Sequence, residues 1–231
     1  MKVEKRFSHH YQLTASYALQ NSKSVLDVTQ NLNNFFATYG PDLPRHNLNI
    51  SGIVELPRKF QVSLLSAFIS HPPIGPWIGG VNNAGTNITS SGYTSLLGVL
   101  GKGFTGFLSK GDLQNLVTQY NNTIAGTLTP AGQAGKVTNW EYPTITLPAD
   151  YTLGDVFSSL DLRVMKTFRL RERIDWRLIG EIFNVFNVSN LTNFSFNLVT
   201  ASTFGKANQR VGQTFGSGGP RAFQFAARLS F

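Results

Sequence analysis

Apolar and polar residues alternate one by one through several long segments of the chain, the pattern of β-strands that expose one apolar face. In the last segment, Phe223, Phe225, Ala227, Leu229 and Phe231 alternate with Gln224, Ala226, Arg228 and Ser230. The alternation predicts about seven strands, near residues 2–7, 11–20, 47–56, 60–68, 160–169, 174–186 and 223–231.

The segments between these strands are of two kinds. Three are short, at 8–10, 57–59 and 170–173, whereas those at 21–45, 71–157 and 187–221 are long and rich in Asn, Gly, Thr and Ser. If the short turns share one edge of the sheet, every long segment lies at the other edge. Bacterial outer-membrane barrels have this arrangement, with short periplasmic turns and long extracellular loops.

The pattern therefore predicts an all-β fold, an antiparallel meander of transmembrane strands with 71–157 as a long extracellular loop insertion. Strands of about ten residues match the roughly 9 to 11 that a tilted strand needs to cross a bilayer. A soluble β-sandwich also alternates. Its strands are usually shorter, about 5 to 6 residues, and loops as long as 71–157 are uncommon there.

Several segments, in their order along the chain, resemble the barrel of TonB-dependent receptors of the Oar-like type. The C-terminal ones are Ser159–Phe168 (SLDLRVMKTF), Glu181–Asn187 (EIFNVFN) and Gly219–Phe231 (GPRAFQFAARLSF). Earlier ones are Val3–Phe7 (VEKRF), Tyr11–Tyr17 (YQLTASY), Arg45–Gly52 (RHNLNISG) and Glu55–Pro57 (ELP). The resemblance covers nearly the whole chain, residues 1–231, except the insertion 71–157.

The resemblance implies a barrel of about 22 strands around a plug, a plugged lumen, through which a solute is taken up with energy delivered by TonB. It implies as partners outer-membrane lipid, the barrel-assembly machinery, the rest of the receptor with its plug and, through the plug, TonB. Because about seven strands cannot close such a barrel, the chain is expected to be its C-terminal part, without plug domain or signal peptide. The solute is not specified.

Two other interpretations stay open on the sequence alone. The first is a soluble or surface-attached β-rich binding module that uses the long segments as an adhesin-like surface. The second is a truncated product without function.

Five charged residues share the polar face of the last strands: Asp161, Arg163, Arg177, Glu181 and Arg228. On a lumen-facing surface they would either line a solute path or form cross-strand pairs, worth about 0.2 to 1 kcal/mol each. The opposite face of the last strand ends in an aromatic residue. Phe231, with Phe223, Phe225 and Leu229, resembles the C-terminal signal that outer-membrane proteins present to the barrel-assembly machinery.

The sequence gives little support for enzymatic activity or for a metal or cofactor site. The chain contains no cysteine, which excludes disulfides and thiol catalysis. The segment 101–106, GKGFTG, lacks the acid about 20 residues later that a dinucleotide site needs, and no G-x-S-x-G elbow occurs. His9 and His10 are expected in a short turn, and His46 and His71 at different strand ends, so a metal site is not expected. The sequence therefore predicts neither an enzyme nor a bound metal or cofactor.

Two further features concern charge and the long insertion. The net charge is +8, but Lys and Arg occur mostly singly, so nucleic acid is not an expected partner. Within the insertion, residues 111–120 predict one amphipathic helix with Asp112 as its N-cap. Its apolar face would consist of Leu113, Leu116, Val117 and Tyr120.

Overall fold

The computed structural model describes residues 1–25, 39–81, 93–102, 107–133, 135, 141–171, 174–212 and 217–231. In chain order the elements are β1 Lys2–Ser8, β2 Tyr11–Leu19, β3 Lys23–Val25, β4 Tyr39–Pro41, β5 His46–Leu56, β6 Phe60–Ile69, β7 Trp77–Gly79, β8 Tyr93–Ser95, α1 Leu96–Val99, α2 Lys110–Thr123, α3 Pro130–Gln133, β9 Phe157–Arg171, β10 Ile174–Phe183, β11 Leu191–Phe194, β12 Ala207–Arg210 and β13 Ala222–Ser230.

Seven strands form one sheet in the order β1-β2-β5-β6-β9-β10-β13, and every neighbouring pair is antiparallel. The predicted all-β antiparallel meander is thereby confirmed. The strand bounds differ from the predicted ones by more than one residue in two strands, β9 and β10. β9 begins at Phe157 and reaches Arg171, longer than predicted at both ends. β10 ends at Phe183, because Asn184 has φ 48°, a left-handed conformation that cannot continue a strand.

The strand register collects the apolar positions on one face of the sheet. One row across six neighbouring strands runs Tyr11, Val54, Val62, Val164, Gly180 and Phe225. A row on the opposite face runs Ile53, Ser63, Arg163, Glu181 and Gln224. Because side chains alternate between faces, the sheet has an apolar face and a predominantly polar face.

The connections divide between the two edges as the sequence predicts. Short ones join Ser8 to Tyr11, Leu56 to Phe60 through the 3-10 turn Pro57–Lys59, and Arg171 to Ile174. The long connections leave the opposite edge, where Leu19 pairs with His46, Ile69 with Phe157 and Phe183 with Ala222. That this second edge is extracellular stays a prediction.

The connection from β6 to β9 packs with the connection from β10 to β13 into a unit that we call the cap, formed by the described residues of 70–156 and 191–206. Its core joins Ile78, Leu96 and Tyr120 of the first connection to Leu198 and Phe204 of the second. The buried apolar side chains of the described chain lie in this cap and not in the sheet. The described part of the insertion 71–157 thus shares one apolar core with the connection from β10 to β13.

Helix α2 contributes the face expected from the sequence, since Leu113, Leu116, Val117 and Tyr120 are all buried. The prediction that Asp112 is the N-cap is wrong. Ser109 is the N-cap, with its Oγ accepting from the Asp112 backbone N–H at 3.1 Å, and Asp112 Oδ2 accepts from the Ser109 N–H at 2.9 Å. This capping box starts the helix one residue before the predicted range. None of the described helices is long and apolar enough to cross a membrane.

Candidate functional site

The polar face of the last three strands holds the five charged residues singled out in the sequence. Arg163 of β9 lies directly opposite Glu181 of β10, and its Nε is 3.5 Å from Glu181 Oε1. Glu181 in turn lies opposite Gln224 of β13. The antiparallel register thus places an ion pair in the middle of this face, at a position where cross-strand neighbours are close.

Two arginines form the next part of the face toward the short connections. Arg177 lies directly opposite Arg228 in the β10–β13 register, and its neighbour on the other side is Thr167. Among the residues that the structure describes, neither guanidinium has an ion-pair partner. The nearby Asp175 carboxylate is engaged by Arg169, whose Nε lies 3.4 Å from Asp175 Oδ1. Two like charges therefore stand side by side, an unfavourable pairing unless an anion compensates it.

Asp161 has a different environment, because it is buried and takes no part in a charge pair. Its Oδ1 accepts from Ser159 Oγ at 3.1 Å and from the backbone N–H of Asn184 at 2.8 Å. Its Oδ2 accepts from the Ser217 hydroxyl. The five charged residues predicted from the sequence thus form one ion pair, two arginines without an ion-pair partner among the described residues, and one carboxylate whose hydrogen bonds hold the backbone at Asn184 in place.

The Asp161 site extends into an asparagine network that sequence reasoning missed. Asn184 Nδ2 donates to the Gly219 carbonyl at 2.6 Å, and Asn190 Nδ2 donates to the Gly218 carbonyl at 3.0 Å. Left-handed φ values recur at every third residue, at Asn184, Asn187, Asn190 and Asn193. Asn is the non-glycine residue that accepts this conformation most readily, so the regular Asn spacing after Glu181 is the signal that could have revealed the network.

The apolar face of the sheet is largely uncovered in the described chain. Phe225 is 82% exposed and Phe223 59%, both on β13, and Val164 in the middle of β9 is 45% exposed. Leu229 lies on the same face, and Phe231 follows the last strand residue. A soluble β-rich module would bury such a face in a core, so the structure favours a face that contacts lipid. The role of these residues as an assembly signal stays a prediction.

Aromatic side chains and lysines mark the end of the apolar face near the short connections. Phe168 and Trp176 lie side by side with ring centroids 5.5 Å apart. The Lys5 ammonium lies 3.7 Å from the Tyr11 ring centroid, and the Lys166 ammonium 4.1 Å from that of Phe60. Amphipathic aromatics and lysines of this kind are typical of membrane–water interfaces.

The tyrosines of the cap are held neutral by their surroundings. Burial raises the pKa of Tyr142 to about 12, and burial together with the neighbouring Tyr142 raises the pKa of Tyr120 further. Tyr120 donates its hydroxyl to the Pro143 carbonyl at 2.9 Å. Both side chains pack in the core of the cap.

The described part of the chain contains no cluster of three or more His, Asp or Glu side chains that could hold a metal ion. His46 Nδ1 lies 2.8 Å from the Tyr17 hydroxyl, and His71 Nδ1 lies 2.9 Å from the Pro72 carbonyl oxygen. Residues 103–106 of the segment GKGFTG lie outside the described residues. That no metal or cofactor binds stays a prediction.

Comparison with known proteins agrees with the geometry of the sheet. The family model described as outer membrane beta barrel domain matches residues 1–224. No curated protein and no solved structure matched the chain. With an antiparallel meander, one lipid-compatible face and one polar face, the chain belongs to the outer membrane β-barrel domain family, whose place is the outer membrane of Gram-negative bacteria.

Proposed function

We propose that this chain supplies barrel wall and loops to a TonB-dependent, Oar-like transporter that takes up a solute across the outer membrane with energy from TonB. The observation that carries the proposal is the polar face with Arg177 and Arg228 side by side and unpaired among the described residues. Small barrels fill their interior with packed side chains, whereas wide ones surround water or a plug. Uncompensated arginines fit a wide lumen.

The edges of the sheet support a wide barrel as well. β1 and β13 lie at opposite edges of the seven-stranded sheet. Unpaired backbone groups at an edge cost several kcal/mol each in lipid. In the proposed receptor both edges pair with further strands of a barrel of about 22 strands, and a plug occupies the lumen beside the polar face.

The cap is the proposed solute-facing part at the cell surface. Its two connections are tied by backbone hydrogen bonds, from Trp77 N–H to the Phe196 carbonyl at 3.0 Å and from Leu198 N–H to the Trp77 carbonyl at 2.8 Å. Functional residues concentrate in loops that a rigid scaffold positions. A pre-formed cap over the strand ends matches a receptor that first captures its solute outside the cell.

The experiment uses the absence of cysteine from the chain. Ala226 and Ala227 are neighbours on β13 with opposite orientations, since Ala226 lies opposite Ile179 on the polar face and Ala227 opposite Leu178 on the apolar face. In the full-length protein, Ala226→Cys and Ala227→Cys are made separately. Each is treated in growing cells with a small water-soluble maleimide, with and without a functional TonB.

We expect Ala226→Cys to react, and to react at a different rate when TonB is absent, because plug movement alters access to the lumen. Ala227→Cys, shielded by lipid, should react little in either strain. Equal labelling of Ala226→Cys in both strains would contradict energised transport while leaving the barrel intact. Equal labelling of the two cysteines would contradict the assignment of the faces.

A further inference from the structure

A shallow apolar groove of about 520 Å3 crosses the apolar face where β9, β10 and β13 lie side by side. It is lined among others by Val164, Lys166, Leu178, Gly180, Phe225 and Ala227. The depression exists because Gly180 has no side chain and Ala227 only a methyl group. The Phe225 ring leans over the Gly180 backbone, since a Cβ placed on Gly180 would lie 3.6 Å from Phe225 Cε1.

One end of the groove carries a positive charge. Lys166 lies between Phe60 and Leu178 in the register of the apolar face. Its Nζ donates to the backbone carbonyl of Arg58, in the short connection between β5 and β6. This is its one hydrogen bond among the described residues, and an ammonium has three N–H donors. Its ammonium also lies 4.1 Å from the Phe60 ring centroid. Two of its N–H donors have no hydrogen-bond acceptor among the described residues.

The other lysine of this face provides a contrast. Lys5 Nζ donates to the Ser8 carbonyl and the Ser8 hydroxyl, both at 2.8 Å, and to the Tyr11 carbonyl at 3.2 Å. These contacts use all three of its strong donor positions. Lys5 and Lys166 thus have the same charge, face and edge of the sheet, but Lys166 alone combines free donors with an adjoining groove.

We propose that the groove is a binding site for an anionic phospholipid of the inner leaflet of the outer membrane. The short connections of bacterial barrels face the periplasm, so a lysine that reaches toward them lies at the level of the inner-leaflet headgroups. The phosphate accepts hydrogen bonds from Lys166 Nζ, and an acyl chain passes over Leu178 and Ala227 toward Gly180 and Phe225.

Charge and shape together select this occupant. A free phosphate ion would leave the apolar walls uncovered, and a zwitterionic lipid would carry an ammonium of its own beside Lys166. A basic residue at the membrane surface attracts an anionic headgroup. The proposal depends on the outer-membrane location of the sheet and is independent of TonB-driven transport.

The test measures binding of dioleoyl phosphatidylglycerol and dioleoyl phosphatidylethanolamine to the detergent-purified full-length protein by native mass spectrometry. Lys166→Gln should weaken phosphatidylglycerol binding about five-fold and leave phosphatidylethanolamine unchanged, whereas Lys166→Arg should bind like the wild type. Ala227→Phe fills the groove with apolar side chain and should weaken both lipids. Lys5→Gln, the matched charge control, should change neither.

The charge variants at Lys166 and the groove variant Ala227→Phe test the proposal independently. If one of them does not assemble, the other still tests the binding site. Assembly is checked by the heat-modifiable mobility of each variant on gels. Equal effects of Lys5→Gln and Lys166→Gln would show a general charge effect and overturn the site. Unchanged binding to Ala227→Phe, or equal affinity of the wild type for the two lipids, would also overturn it.

Discussion

The Asp161 carboxylate accepts the backbone N–H of Asn184 at 2.8 Å, at the point where β10 ends. Asp161→Asn keeps the size of the side chain but removes its negative charge and leaves one acceptor oxygen in place of two. Loss of hydrogen bonds to a charged acceptor costs about 1.5 to 3 kcal/mol. We expect a decrease of that size in the free energy of unfolding, measured with urea in detergent.

The control for this change is Asp150→Asn, which makes the same chemical substitution at an exposed position of the cap. It should leave the unfolding midpoint unchanged. If both variants lose stability equally, the effect comes from net charge and the network around Asn184 does not hold the strand end.

The arginine pair predicts a stabilising mutation. Because Arg228 lies directly opposite Arg177, Arg228→Glu replaces a repulsive cross-strand pair by an attractive one and should raise the free energy of unfolding by about 0.2 to 1 kcal/mol. Arg228→Gln removes the repulsion alone and should have a smaller effect. A clear loss of stability in both variants would reveal an anionic partner for Arg228, as the proposed plug would supply.

The end of the chain predicts an assembly defect. Phe231 is 97% exposed and follows the last strand, and Phe186 is 70% exposed in the connection after β10. If Phe231 is part of the signal read by the barrel-assembly machinery, Phe231→Ala should lower the amount of heat-modifiable protein in the outer membrane. Phe186→Ala removes an equally large exposed ring and should not. Equal amounts for both variants would contradict the signal.

The sheet could be predicted from the sequence because strand alternation is a local signal with a period of two residues. Tyr11, Val54 and Val164 fall on one face simply from their positions in the pattern, and the register of the strands bears this out. The prediction was less accurate for the residues at which strands begin and end. Asn184 stops β10 through its own backbone conformation, which hydrophobic alternation does not encode.

The cap and the asparagine network could not be predicted in the same way. The core of the cap contains both Leu113 and Phe204, which are far apart in the sequence, so no local pattern reveals that they share a core. Asp161 was placed correctly on the polar face, yet its partners Asn184 and Ser217 lie near opposite ends of the long connection from β10 to β13, 33 residues apart. The difference between Lys5 and Lys166 in hydrogen-bond partners likewise depends on the local geometry, because the two residues are of the same type.

Two glycines of the cap have the same backbone φ, but we expect their substitution by alanine to destabilise the cap to very different degrees. Gly205 and Gly101 both have φ 66°. A Cβ on Gly205 would lie 2.6 Å from Tyr151 Cβ and 2.7 Å from the Thr152 carbonyl oxygen, whereas a Cβ on Gly101 meets nothing within 4 Å. Gly101→Ala should therefore cost only the backbone penalty, about 1 to 2 kcal/mol, and Gly205→Ala should also force the two connections of the cap apart. Limited proteolysis should cleave the Gly205→Ala cap much faster, and equal rates would contradict the packing.

The buried tyrosines predict that the cap loses stability at high pH. The ordinary pKa of tyrosine is about 10, and burial raises that of Tyr142 to about 12. Between these values the unfolded cap has released the proton that the folded cap retains, so the free energy of unfolding falls as pH rises. Absorbance of tyrosinate should show late titration, accompanied by faster proteolysis of the cap. In Tyr142→Phe the pH dependence should become weaker but persist, because the pKa of Tyr120 is raised as well. A cap whose proteolysis rate stays constant from pH 9 to 12 would contradict the burial of both hydroxyls.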